Sequence, residues 1–175
     1  MEIKFYKSID DKILNFAVII AIYHEKYVLC KHKERETFEF PVGHREDNES
    51  IIDTAKRELY EETGATSFEI IEICPYSVKG EDGQIVTTKE TFGMLYYAEI
   101  FELKEINSEI EKIEFFLDIP YDKLTYPMIH TSLYNRYINI IKNGRWNLPF
   151  FMKINFYRIF LSFWFYVFFW WISSK

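Results

Sequence analysis

Cysteine is scarce in these 175 residues, with Cys30 and Cys74 the whole supply. Two thiols exclude a disulfide framework. They also lack the spacing of a thiolate metal site, which leaves a pair of buried, reduced side chains. An excess of basic charge is missing as well. Lys and Arg number 21 against 27 Asp and Glu, a formal net charge of −6. Three of the basic residues, Lys153, Arg158 and Lys175, fall in a final stretch of 25 residues that holds no acid. The rest of the chain is therefore more acidic still, and such a surface excludes a bulk electrostatic grip on duplex nucleic acid. Handling phosphate would need a local positive charge, most simply a metal ion. Residues 1–145 hold no internal repeat and no Gly/Ser- or Pro-rich linker. Met1 to Lys12 alternates charged and apolar residues and has no signal-peptide-like hydrophobic segment, which predicts a cytoplasmic chain. Apolar side chain, by contrast, is plentiful: 49% of residues are hydrophobic, enough for the core of one domain.

The apolar residues are ordered. Asn15 to Tyr23 is a short, β-branched, continuous apolar run, as in a strand buried on both faces. His24-Glu25 reads as a turn and Lys26 to Lys31 as the returning strand. A polar stretch leads to Phe40-Pro41-Val42-Gly43, where Pro and Gly end the extended structure. A helix then follows, capped by Asp47 or Asn48, with Glu49 in its first turn and Gly64 at its C-terminus. Ile52, Ala55 and Leu59 make one apolar stripe along it. Strands are expected at Phe68–Ile73, near Thr91–Ile100 and at Ile113–Leu117. A last amphipathic helix is expected over Pro127 to Lys142, with Leu133, Tyr137, Ile140 and Ile141 inward and Gly144 closing it. Several strands with two helices make an α+β or mixed sandwich.

Chemistry concentrates on the central helix. Glu58, Glu61 and Glu62 stand at i, i+3 and i+4, so three carboxylates project from one face. Helix stability asks for no such cluster, and a solvated acidic face is the bland alternative. The apolar stripe docks the helix, however, and holds its acidic edge at a fixed angle. The preceding Phe40–Gly43 loop brings backbone carbonyls to the same edge. Hard oxygen ligands of this kind suit Mg²⁺ or Mn²⁺, which keep waters and accept phosphate oxygens. Arg57 is placed to steady the neighbouring carboxylates.

Gly43, Glu49, Arg57, Glu58, Leu59, Glu61, Glu62 and Gly64 reproduce the Nudix box, G-x5-E-x7-R-E-U-x-E-E-x-G-U, at every spacing, with Ala65 at the last position. The chain thus resembles the Nudix hydrolase family over roughly residues 1–145. The resemblance implies an α/β/α sandwich with a mixed sheet that hydrolyses a nucleoside diphosphate linked to another group. It places metal ligands at Glu58, Glu61 and Glu62, with the Gly43 carbonyl nearby, and support for the metal site at Glu46. The family usually reads P-G-G before the box. Val42 replaces the middle glycine here and predicts an altered backbone angle in that loop. Either Glu61 or a glutamate in Ser108–Phe116 serves as general base, with Glu111 ahead of Glu109 and Glu114. Lys31, Lys33 and Arg35 are candidates for touching substrate phosphates, against a reading as solvated surface charge.

The segment Lys33–Pro41 and the run Cys74–Val78 are similar to MutT-type enzymes, particularly the YtkD-type branch. That likeness implies 8-oxo-dGTP or another nucleoside triphosphate as substrate, with monophosphate and pyrophosphate as products; some relatives also trim RNA 5′ ends. A non-catalytic nucleotide sensor is the alternative from another class. Such domains usually lose box glutamates, and none is lost here. Residues 146–175 form a separate hydrophobic tail: Ile159 to Ile172 is 14 residues without a charge, and 12 of the last 25 residues are aromatic. Three readings of it stand open: membrane association through residues 154–172, packing on the domain or a twin subunit, or an altered reading-frame end. The oligomeric state is left unassigned.

Overall fold

The computed structural model describes residues 1–83, 85–105 and 110–142. The tail, Gly144 and Glu109 lie outside the described residues, and so do the expectations placed on them. Among the described residues seven strands and two α-helices follow one another as β1 (Glu2–Phe5), β2 (Leu14–Tyr23), β3 (Lys26–His32), β4 (Val42–His44), α1 (Ile51–Thr63), β5 (Ala65–Asp82), β6 (Ile85–Leu103), β7 (Ile110–Phe116) and α2 (Pro127–Lys142). The strands form one mixed sheet in the order β1-β5-β6-β2-β3-β7, with β4 paired to β2 off that path. One compact unit comprises Met1–Asn135, and a second begins within α2 at Arg136. No helix among the described residues is long and apolar enough to cross a membrane.

β2 is the apolar run read from the sequence, and it sits at the centre because it can bury both faces. Along one edge it pairs in parallel with β6, from Leu14↔Phe92 to Tyr23↔Ile100. Its other edge is divided. Phe16 to Val18 pair with His44 to Val42 of β4, and Ala21 to Tyr23 pair with Val28 to Lys26 of β3. The sheet therefore forks beside Ile19 and Ile20. His24 and Glu25 both take positive φ, 48° and 65°, as a two-residue hairpin between right-twisted strands requires.

Alternate residues of these strands face the two helices. Ala17, Ile19 and Ala21 of β2 and Met94, Tyr96 and Ala98 of β6 pack with Ile51, Ala55 and Leu59 of α1 in the main core. Tyr27 leaves β3 on the other side, where its hydroxyl meets that of Tyr134 of α2 at 3.0 Å. Phe40 contacts the His130 ring there at 5.2 Å between centroids. Burial in this layer pushes the His130 imidazole down to about 3, so it is a neutral core residue. A helix on each side of a mixed sheet is the expected sandwich.

α1 begins later than the sequence predicted. Its N-cap is Ser50, whose hydroxyl accepts the Asp53 N–H, while Asp47, Asn48 and Glu49 precede the helix. Asn48, at φ 63°, lies in the left-handed region that asparagine tolerates. Gly64 ends the helix at φ 75°, as predicted. β5 and β6 run well past the segments expected of them. Register shifts between Glu72/Cys74 and Val78/Gly80 break the alternation by which a long strand is recognised. At their tip Asp82 is buried and accepts the Ile129 N–H of α2 at 2.7 Å. The apolar stripe of α1 offers the simplest test of this core. Leu59 is fully buried, and Leu59→Ala is expected to lower the unfolding free energy by about 2–5 kcal/mol in urea denaturation.

Candidate active site

The site is built where β4 runs beside α1. Gly43 pairs with Ala17, whose side chain faces α1, so the Gly43 Cα is turned toward the helix as well. A Cβ added there would lie 1.7 Å from both Cδ and Oε1 of Glu58. Gly43 is thus required for close approach and not for an unusual φ. Val42 does not distort the loop as the sequence had predicted. It occupies an ordinary extended position opposite Val18, and its N–H donates to Glu62 Oε2 at 2.9 Å. That hydrogen bond is a backbone one, so the side chain at position 42 is immaterial to it.

Arg57 organises the remaining carboxylates. Its Nε and one terminal nitrogen donate to the two oxygens of Glu49 at 2.9 and 3.0 Å. The other terminal nitrogen donates to Glu58 at 2.7 Å and to Glu61 at 3.1 Å, and the His44 carbonyl completes the set at 2.9 Å. A planar guanidinium suits such a fan of acceptors, and a lysine ammonium would not span it. Hydrogen bonding to Glu49 raises the Arg57 pKa further above its ordinary value. The same bond, aided by the Thr54 hydroxyl at 2.8 Å, holds Glu49 down to about 2. Glu49 is therefore a strut between the loop and the helix. Glu46 is exposed; its carboxylate lies 4.0 Å from Arg57 Nε and its backbone N–H donates to Glu49 at 3.1 Å.

The structure gathers Gly43, Glu46, Arg57, Glu58, Glu61 and Glu62 in one place and gives Lys31, Arg35 and Glu111 other partners. Lys31 alternates with Cys30 and His32, so it leaves β3 on the face away from α1. There its ammonium meets Glu111 at 2.5 Å. Hydrogen bonding within the pair raises the Lys31 pKa and lowers that of Glu111. Arg35 donates to Glu39 at 2.9 Å and lies over the Tyr126 ring. Glu39 itself escaped the sequence reading. It is only 2% exposed, and burial pushes its carboxyl up to about 7 against the opposing pull of Arg35. In a stretch as polar as 32–37 and its flanks, a single glutamate carries no signal of burial. Only its backbone pairing with Cys30 places it inside.

Among the described residues no three His, Cys, Asp or Glu groups close into a metal cage. Glu58 and Glu61 turn toward Arg57 instead. The donors at hand are carboxylate oxygens beside a glycine backbone, and that chemistry fits a hard divalent cation such as Mg²⁺ or Mn²⁺. A polar cleft of about 530 Å³, lined in part by Lys12, Asn15, Arg45 and Glu49, lies along the loop that joins β4 to α1.

The strut has a pH signature. The folded pKa of Glu49, about 2, lies below an unfolded value of about 4.3. Its stabilising contribution is full above the unfolded value and is lost as pH falls toward about 2. Arg57→Gln removes it, so the variant should unfold more easily than the parent at about pH 7. Denaturation series should show the two converging as pH drops from about 5 to about 2.

Known proteins share this fold. A model of the NUDIX domain matches residues 14–127, well over half of the chain. An RNA pyrophosphohydrolase from Bartonella henselae is 37% identical over 54 residues, a match spanning 29% of this chain and 31% of that protein. The pyrophosphohydrolase BsRppH of Bacillus subtilis superposes with a TM-score of 0.64 at 22% identity, covering 81% of this chain and 91% of that one. The NUDIX domain of Shewanella oneidensis NrtR, complexed with ADP ribose, does so at 0.57 and 16%, covering 73% and 88%. At such identities the superpositions speak for the fold alone. The matched segment opens with β2, contains the complete box and ends where α2 begins, and by that match the chain belongs to the Nudix hydrolase family.

Proposed function

We propose that the chain is a Mg²⁺- or Mn²⁺-dependent pyrophosphohydrolase that converts a nucleoside triphosphate to its monophosphate and pyrophosphate. The observation that carries the reading is the full set of box carboxylates, Glu58, Glu61 and Glu62, gathered on one edge of α1 against Gly43. Together with the Gly43 carbonyl these residues would hold the cation. Once bound, it would neutralise polyphosphate charge and polarise the phosphorus under attack. Arg57 orients the carboxylates and carries no proton in the reaction, since its pKa is raised well out of reach. Glu61 is half exposed beside the site and is the better general base. Glu111 of β7 is paired with Lys31 on the face of β3 away from α1, and so stands apart from the box carboxylates. One water adds to phosphorus, one P–O bond breaks, and pyrophosphate leaves.

The substrate is a free nucleotide such as 8-oxo-dGTP or another (d)NTP. A triphosphate at an RNA 5′ end is the second reading, favoured by the name of the Bartonella henselae relative. Both present the same triphosphate to the same residues. The sensor alternative gains nothing from a site with no box glutamate missing.

Pyrophosphate release from 8-oxo-dGTP, the four ordinary dNTPs and a 5′-triphosphate RNA, with ADP-ribose followed as AMP, tests the reading. Turnover should require Mg²⁺ or Mn²⁺ and fall by about 100-fold or more in Glu61→Gln. Nucleotide binding without turnover on any of them would transfer the assignment to the sensor.

A further inference from the structure

β3 ends at His32, where the chain turns out of the sheet and Arg35 N–H bonds back to the His32 carbonyl at 3.1 Å. It returns at Glu39, tied to Cys30 by two backbone hydrogen bonds of 2.8 and 3.0 Å. Cys30 and Glu39 stand directly opposite one another, so their side chains leave on one face, and His32 shares it by alternation. That face looks onto α1: the Cys30 thiol lies 3.7 Å from the Glu62 carbonyl.

On it two buried carboxylates flank one imidazole. His32 Nε2 is 2.8 Å from Glu39 Oε1 and 3.7 Å from Glu62 Oε1. Glu62 Oε2 meanwhile accepts the Val42 N–H. Glu62 is thus approached from two sides, by the β4 backbone at one oxygen and by the imidazole at the other. The imidazole is restrained in turn. Glu39 is fixed by its backbone ladder and by Arg35 at 2.9 Å, and the Arg35 guanidinium rests over Tyr126 at 5.5 Å.

We propose that His32 is a positioning residue for Glu62: interposed between Glu39 and Glu62, it fixes the carboxylate oxygen that Val42 does not hold. The inference rests on Glu62 as a ligand of the divalent cation. A carboxylate set in advance binds a cation without first ordering itself, and outer partners of this kind typically govern metal affinity by about 10–100-fold.

Mn²⁺ affinity, read from the free-ion paramagnetic resonance signal at one fixed pH, tests it without substrate. His32→Ala should weaken binding about 10–100-fold. His32→Gln carries an amide nitrogen to the reach of Nε2 and should restore most of the affinity. His32→Asn is equally polar but too short, and should behave like the alanine variant. In a Glu62→Gln background, already weakened, His32→Ala should cost nothing further, because its effect runs through Glu62. Thermal melting confirms that each variant is folded, and the Gln/Asn contrast stands even where alanine is not tolerated. Undiminished Mn²⁺ binding in both His32→Ala and His32→Asn, or an equal loss in the Glu62→Gln background, would overturn the inference alone. Unchanged binding in Glu62→Gln by itself would overturn the metal assignment beneath it.

Discussion

Like charges crowded onto one helical turn repel, and the guanidinium of Arg57 is what lets this turn exist. Glu58 and Glu61 both accept from it, and so does Glu49, which precedes the helix by two residues. The loop is therefore bound to the helix through the same group that offsets the acids. A single positive centre serving three negative ones leaves the site acidic in total, as the proposed binding of a cation there requires. Arg57 also reaches the His44 carbonyl, so β4 is held at the distance that presses Gly43 against Glu58. Loop, strand and helix are all referred to one side chain.

The fork in the sheet supplies the remaining geometry. Because β2 exchanges β4 for β3 along one edge, the chain between those strands is not in the ladder with β2 beyond the Ile19–Pro41 hydrogen bond at 2.9 Å. Glu39 and His32 line that opening on one side and Glu62 on the other. A continuous sheet would have filled the space with apolar side chains, as it does further along at Ala21 and Val28. Polar groups gather where the ladder parts, and each is matched to a neighbour, as burial demands.

Much of this was legible in the sequence because it lies in spacings. The box residues, the β2 run, the apolar stripe, the His24-Glu25 turn and Gly64 all declare themselves by local pattern. The helix start was misplaced because Asp47, Asn48 and Ser50 are all good caps, and only the fold decides among them. Val42 looked like a fault because a glycine is usual there. Its role is carried by a backbone N–H, which every residue but proline owns. Lys31 and Arg35 declare their charge in the sequence, whereas their folded partners Glu111 and Glu39 do not. Glu39 and His32 are the clearest misses. Their placement depends on a pairing across the fork, and neither residue type nor period announces it.

The order in which the chain is made acquires meaning from the parallel pairing of β2 with β6. The box is complete by Ala65, yet the strand that buries the far side of α1's core arrives only with Met94 to Ile100. A nascent chain that has just delivered the box glutamates still lacks part of the core beneath them, and contacts this distant in sequence form late and slowly. Premature termination anywhere before β6 would therefore release α1 with β2 and β4 beside it but without Met94, Tyr96 and Ala98 to complete its core. The emergence of β6, well after the last glutamate of the box, marks the moment in synthesis when the main core around α1 can first be completed.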